Sequence, residues 1–260
     1  MTAARAPWGL RVTGAVLGVA FGFPGAYLVY RTFTGDTDAT DLLFNERTLA
    51  PLWRTIRLAT AVSITTACVG TALAWVTTRT NLPFRRMWRV LLPIPLVVPT
   101  FVGAAAFIRA LNPGGLANDW LSNFGIDQTP ELRGFMGAWL VLSLFTYPYV
   151  YLPVAARLRH LPGTLEESAR VLGDTPFQAF RRVVLRQIAG SLLAGTLLVF
   201  LYTISDFGAV QLMRYDTLTR AIHTAFLTNA AFALSLLLLL LAVAVVAFER
   251  REARAGPRAL

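Results

Sequence analysis

The chain has 260 residues, of which 55% are hydrophobic and only 15% charged, and its mean hydropathy is +0.56. Soluble domains run at about 45–50% apolar and about 25% charged residues, so this composition excludes an ordinary soluble fold, and its hydrophobicity excludes intrinsic disorder. Twenty-four basic residues against 14 acidic give a formal charge of +10, and all 24 are arginine; a chain without lysine carries neither a P-loop nor a Schiff-base amine.

A membrane-crossing helix needs about 20 mostly apolar residues. Six segments meet that length, predicting an all-α polytopic membrane bundle with spans at 10–30, 57–78, 90–110, 134–156, 189–211 and 230–248. In the first, Arg5 and Arg11 precede an apolar run that continues through Tyr27–Tyr30. No small-x-small site follows, so the segment reads as an uncleaved helix and not a signal peptide. Gly14, Gly18 and Gly22 give it a small-residue stripe along which another helix can approach. Prolines interrupt the first span (Pro24), the third (Pro93, Pro95, Pro99) and the fourth (Pro148), which is tolerated where neighbours satisfy the freed backbone. The fourth is also rich in aromatics: Trp139, Phe145, Tyr147, Tyr149 and Tyr151.

The arginines set the orientation. Both termini and the loops 79–89 and 157–188 fall on one side and hold 16 of the 24 arginines. The other eight are balanced by eight carboxylates on the opposite side. The excess marks the cytoplasmic face, which puts both termini inside. Sorted this way, the charge belongs to membrane topology and not to nucleic-acid binding, which would gather it on one face of a soluble fold.

The one long cytoplasmic loop joins spans four and five. Thr164 followed by Glu167 predicts a capping box that opens a helix after Pro162-Gly163. Gly173 predicts its end, because a residue just past a helix C-terminus adopts a left-handed conformation. Thr175, Pro176 and Gln178 predict a second helix with its own box and a proline in the first turn. Leu165, Ala169, Val171 and Leu172 form an apolar side of the first helix; Phe177, Phe180 and Val184 do so for the second.

This loop resembles the signature of the membrane subunits of bacterial ABC importers, E-A-A-x-x-x-G-x₉-I-x-L-P. Glu167, Ser168 and Ala169 stand at the E-A-A positions, Gly173 at the glycine, and Val183 and Leu185 at the last two apolar positions. Ser168 replaces the first alanine, and Arg186 stands where proline is usual. Residues 60–79, 82–86, 203–210 and 217–222 are similar to the ferric-iron-type permeases of that group. Aminoethylphosphonate, thiamine and polyamine permeases are its neighbours.

The resemblance implies a permease subunit in a bacterial inner membrane, paired with a second permease half to form the translocation path. It implies cytoplasmic ATPase subunits that bind the ATP, and an extracytoplasmic substrate-binding protein that selects the cargo. The chain itself would be no enzyme and hold no cofactor or metal. The loop residues expected to couple to the ATPase are Glu167, Ser168, Ala169, Gly173, Asp174 and Phe177. Iron-type permeases of the group are commonly two six-span halves in one chain. Here one half is seen, so the partner half is a second copy, a paralogue, or the other part of a divided permease.

The path is less explicit. Asp206 is the carboxylate that falls within a span, and an intramembrane ionisable group is a functional candidate by default. A cation such as iron would favour it; the alternative is a cap on broken backbone, or a pair with an arginine such as Arg109. Tyr147, Tyr149 and Tyr151 alternate, so they cannot share one helical face; Tyr147 and Tyr151 are candidates for the path, with interface anchoring as the other role. His223 is a candidate iron ligand near the outer mouth, or an ordinary surface histidine. One cysteine, Cys68, and two histidines allow no internal disulfide and no Cys/His zinc cluster. Asp206-Phe207-Gly208 matches the kinase metal triplet, but in an apolar span without a lysine the match is coincidence. The rival classes are a secondary transporter or channel, which leaves a capped helix pair in the loop without a purpose, a membrane enzyme, for which no H-E-x-x-H, G-x-S-x-G or acid pair is found, and a membrane scaffold, which stays open.

Overall fold

A computed structural model describes residues 8–34, 46–113, 115, 131–225 and 228–255. Among them the chain is helical throughout, with no strand. The first span is α1 (Trp8–Thr34), which carries Pro24 without breaking. The second is α2 (Glu46–Arg79), 34 residues and unbroken. At 1.5 Å per residue it is about 51 Å long, well beyond a hydrocarbon core of about 30 Å. Arg85 closes its far end by donating to the carbonyls of Thr77 and Thr78.

The third expected span, 90–110, is not one helix. It is split into α3 (Arg85–Leu91), a 3₁₀ turn at Ile94–Val97 and α4 (Thr100–Leu111), and the two legs meet at 97°. The cause is local: Pro93, Pro95 and Pro99 each lack a backbone donor, and Val98, before Pro99, is extended (φ −90°, ψ 120°), although Leu92, before Pro93, stays helical. The span before the loop is intact, with α5 (Gly134–Thr146) and α6 (Pro148–His160) meeting at Tyr147. There Pro148 occupies the first position of α6, where its missing N–H costs nothing.

After the loop helix α7 (Thr164–Val171) come α8 (Pro176–Ala179), one wide π turn at Phe180–Val184, and α9 (Leu185–Ser205). The fifth span therefore starts inside the loop, earlier than the expected residue 189. It also ends earlier, at Ser205, and residues 208–212 form a separate helix, α10 (Gly208–Leu212). Helices α11 (Leu218–Thr224) and α12 (Asn229–Ala255) complete the chain. Among the described residues five helical segments are long and apolar enough to cross a membrane, and the bent α3–α4 pair would make six.

The core is α6 clasped between α2 and α9. Leu58, Val62, Leu142, Val150, Val154, Leu158, Ile188 and Val199 are fully buried in it. Lipid tails are as apolar as leucine, so such helices are held by close packing and not by exclusion of water. Two glycines permit the approach. A Cβ on Gly70 of α2 would lie 2.9 Å from Val150 Cβ, and one on Gly195 of α9 would lie 2.8 Å from the Tyr149 carbonyl. In α1, by contrast, a Cβ on Gly14, Gly18 or Gly22 would meet no atom within 4 Å, so their stripe is open among the described residues. That helix touches α12 near its end, where Tyr27 and Arg31 meet the ring of Phe232.

Candidate functional site

The loop is built largely from its turn chemistry, with one correction. The first helix is not opened by a Thr164–Glu167 box. Gly163 already has helical angles (φ −61°, ψ −27°), and its carbonyl accepts from the N–H groups of Glu166 and Glu167. Thr164 is thus inside the helix, and its side chain makes no cap. Glu166 and Glu167 still favour that end, where the helix dipole is positive.

At the other end Gly173 takes φ +99°. The Gly173 N–H returns to the Arg170 carbonyl and the Asp174 N–H to that of Ala169, the paired closure of a Schellman motif. Two residues later Thr175 and Gln178 form the expected box, Thr175 Oγ1 accepting from the Gln178 N–H and Gln178 Oε1 from the Thr175 N–H. Asp174 then pairs with Arg182 at 2.6 Å, bracing the second segment against the turn.

Glu167, Ser168, Gly173 and Phe177 are exposed; Ala169 and Asp174 are half-buried. Val171 and Leu172, on the apolar side of the first helix, are 87% and 88% exposed, and Phe177 is 70% exposed. The Gly173 bend thus presents an uncovered apolar knob. Below it, Trp75 of α2 meets Phe180 edge-on at 6.1 Å, and both line an apolar cavity of about 600 Å³ with Cys68, Thr71 and Phe177.

The knob is tied to the spans by bonds to backbone. Arg79, in the last turn of α2, donates to the Leu161 carbonyl at 2.9 Å, and Arg157 of α6 donates to the Gln187 carbonyl of α9 at 3.2 Å. Arg79 was not among the expected coupling residues; the sequence marks it as the last residue of the 60–79 stretch and as a cytoplasmic arginine at the end of a span, but not as a strap to Leu161.

The second candidate region is the break after α9. Asp206 is 8% exposed. Its Oδ2 accepts from Thr100 Oγ1 at 2.8 Å, and its Oδ1 accepts from the N–H groups of Ala209 (3.0 Å) and Val210 (3.3 Å). Its own carbonyl accepts from Thr219 Oγ1 at 2.8 Å. Asp206 thereby joins the first turn of α4 and the start of α10 through its carboxylate, and the start of α11 through its backbone carbonyl. Arg109 is not its partner, and among the described residues no arginine forms an ion pair with it.

The tyrosines lie deeper in the bundle. Tyr147 donates to the Leu92 carbonyl at 2.7 Å, fastening the bent third span; Tyr151 lies 3.3 Å from Thr77 Oγ1; both are buried. Tyr149 faces Tyr202, whose hydroxyl lies 3.1 Å from Thr100 Oγ1. His223 is exposed against Phe207. Among the described residues no three His, Cys, Asp or Glu side chains are grouped to hold a metal ion.

Residues 66–253 match the family described as the binding-protein-dependent transport system inner membrane component. The chain belongs to this family. The match takes in the loop, the Arg79 strap and the Asp206 junction. Relatives include the Fe(3+)-transport system permease protein FbpB 2 of Haemophilus influenzae, 28% identical over 93% of this chain and 45% of that protein. The sulfate transport system permease protein CysT of Salmonella typhimurium is 30% identical over 65% of this chain and 60% of its own length. A probable molybdenum ABC transporter permease of Haloferax volcanii is 28% identical, covering 80% of this chain and 76% of that one. The chain thus spans less than two thirds of the iron and sulfate relatives. Its fold is that of a bacterial ABC transporter involved in import of alginate (TM-score 0.77, 16% identity, 96% of each chain). It is also similar to the MetNI methionine ABC transporter (TM-score 0.61, 17% identity, 81% of this chain and 96% of that one).

Proposed function

We propose that this family member is the permease subunit of an ATP-driven importer, working with a second permease half, separate ATPase subunits and an extracytoplasmic binding protein. The carrying observation is the exposed Val171–Leu172–Phe177 knob, bent at Gly173 and continuous with the fifth span. An apolar knob of this kind needs a partner with a groove. Its continuity through the π turn into α9 lets a push on the knob become movement of a span, a coupling carried by a rigid element. Because the chain has no lysine for a P-loop, ATP is bound and hydrolysed in a partner.

The arginine distribution supports an inner-membrane orientation with the loop and both termini in the cytoplasm and the Asp206 junction toward the outer side. We read Asp206 as a pin between broken helices, because both its oxygens are engaged. The Tyr147 and Tyr151 contacts favour a packing role over a path-lining one.

For the cargo, the iron permease relative, covering 93% of this chain, supports ferric iron. The sulfate and molybdenum relatives support an inorganic oxyanion. Reconstitution in proteoliposomes with the ATPase and binding protein tests the importer reading. ATP-dependent uptake with hydrolysis stimulated by the loaded binding protein is expected. Uptake driven by an ion gradient without ATP would make the chain a secondary transporter instead.

A further inference from the structure

At the end of the bundle away from the loop, two guanidinium groups share one carboxylate, with a third, Arg57, close by on α2. Asp216 Oδ1 lies 2.6 Å from Arg220 Nη1, and its Oδ2 lies 3.3 Å from Arg54 Nη1. Between α2 and α11 a cavity of about 590 Å³ is lined by Pro51, Arg54, Asp216, Thr217 and Arg220.

Arg57 follows Arg54 by three residues, so the two are neighbours on one face of α2. Among the described residues it has no carboxylate within ion-pair distance. Its guanidinium carbon sits 4.6 Å from the Phe135 ring centre and 5.9 Å from that of Tyr215, and Nη2 donates to Tyr215 Oη at 3.0 Å. The Tyr215 hydroxyl in turn donates to the Arg54 carbonyl at 3.3 Å. Two rings and a hydroxyl therefore hold the Arg57 fork in place while leaving the side chain exposed. An oriented, unpaired cation at the end of an apolar span needs a reason.

A bare cation arriving here meets excess positive charge and, among the described residues, no grouped metal ligands; the nearby Asp206 carboxylate is already engaged. An oxyanion meets the planar forks of Arg54 and Arg220 in the recess, with the exposed Arg57 one turn along α2 outside its lining, and the forks suit bidentate hydrogen bonding. We infer that the cargo arrives bearing oxyanion groups, and that Arg54, Arg57 and Arg220 are the first side chains of this chain to receive it. This rests on the importer reading. The oxyanion is either a free tetrahedral anion or the ligand shell of a metal ion.

The test is binding to the full chain in lipid nanodiscs, with labelled sulfate, molybdate and ferric citrate as probes against chloride at equal ionic strength. Saturable binding of at least one probe is expected, weakened about tenfold or more by Arg57→Gln or Arg220→Gln and partly restored by Arg57→Lys, because a charge-assisted bond is lost and then partly replaced. Sulfate or molybdate binding without ferric citrate assigns a free anion; ferric citrate alone assigns a metal complex. Absence of binding, or binding unchanged in a folded Arg57→Gln variant, overturns the site. So does saturable binding of uncomplexed ferric ion that oxyanions do not enhance. Uptake in the reconstituted importer is scored separately: ATP-driven uptake without oxyanion binding removes this inference alone, and binding without ATP-driven uptake removes the importer reading.

Discussion

The Arg79 guanidinium donates to the carbonyl of Leu161, joining the last turn of the second span to the first residue after α6. A charged donor on a backbone carbonyl holds the loop whatever side chains surround it, and such bonds contribute about 1.5–3 kcal/mol. Arg79→Ala is therefore expected to leave ATPase association intact while uptake falls, so that more ATP is consumed per cargo moved. The ratio of hydrolysis to uptake in proteoliposomes measures this. An unchanged ratio would show that Arg79 only packs.

Gly173 should tolerate no β-branched residue. At φ +99° a side chain is strained whatever the space around it, at a cost of about 1–3 kcal/mol. Gly173→Val is expected to unwind the Schellman closure and weaken ATPase binding, while Gly173→Asn keeps more of it. Co-purification with the ATPase is the measurement; equal recovery from both variants would contradict it.

Leu172→Glu separates docking from folding. With the side chain 88% exposed, the substitution should shift thermal unfolding in detergent very little. It should nevertheless abolish ATPase co-purification, since a charge would enter an apolar contact. A large fall in thermal stability with docking retained would mean that the knob belongs to the chain's own core.

Asp206→Ala leaves the N–H groups of Ala209 and Val210 and the Thr100 hydroxyl without their acceptor. Loss of about 1–3 kcal/mol is expected, with Asp206→Asn costing less because it keeps an oxygen acceptor. Combining Asp206→Ala with Thr100→Val should cost less than the two separate losses added together, since they share one bond. Unfolding titrations of the four variants report this coupling, and strict additivity would remove the pin.

Much of the loop was readable because its turns are written in short-range chemistry: Gly173 ends one helix, and Thr175, Pro176 and Gln178 begin the next. Thr164 misled because a T-x-x-E spacing is equally at home one residue inside a helix, and the angles of Gly163 decided which. The 97° turn of the third span was signalled by its prolines, but hydropathy measures length and not direction. Val171 and Leu172 could not be sorted by pattern, because an apolar stripe made for a partner is written like one made for a core. Asp206 was found as a charge out of place; Thr100, about a hundred positions away, was not, since only the fold brings a threonine to a carboxylate.

The unbroken length of α2 makes it a lever. Gly70, pressed onto α6, lies 16 residues from Arg54 and nine from Arg79, so its arms measure about 24 Å and 14 Å at 1.5 Å per residue. Were α2 to rock rigidly about that contact, displacement would be magnified roughly 1.8-fold and reversed in sense, so a pull of about 1 Å at Arg79 would swing Arg54 by about 1.8 Å the other way. The gearing favours travel over force, and Gly70→Ala, by jamming the fulcrum, would stall both ends at once.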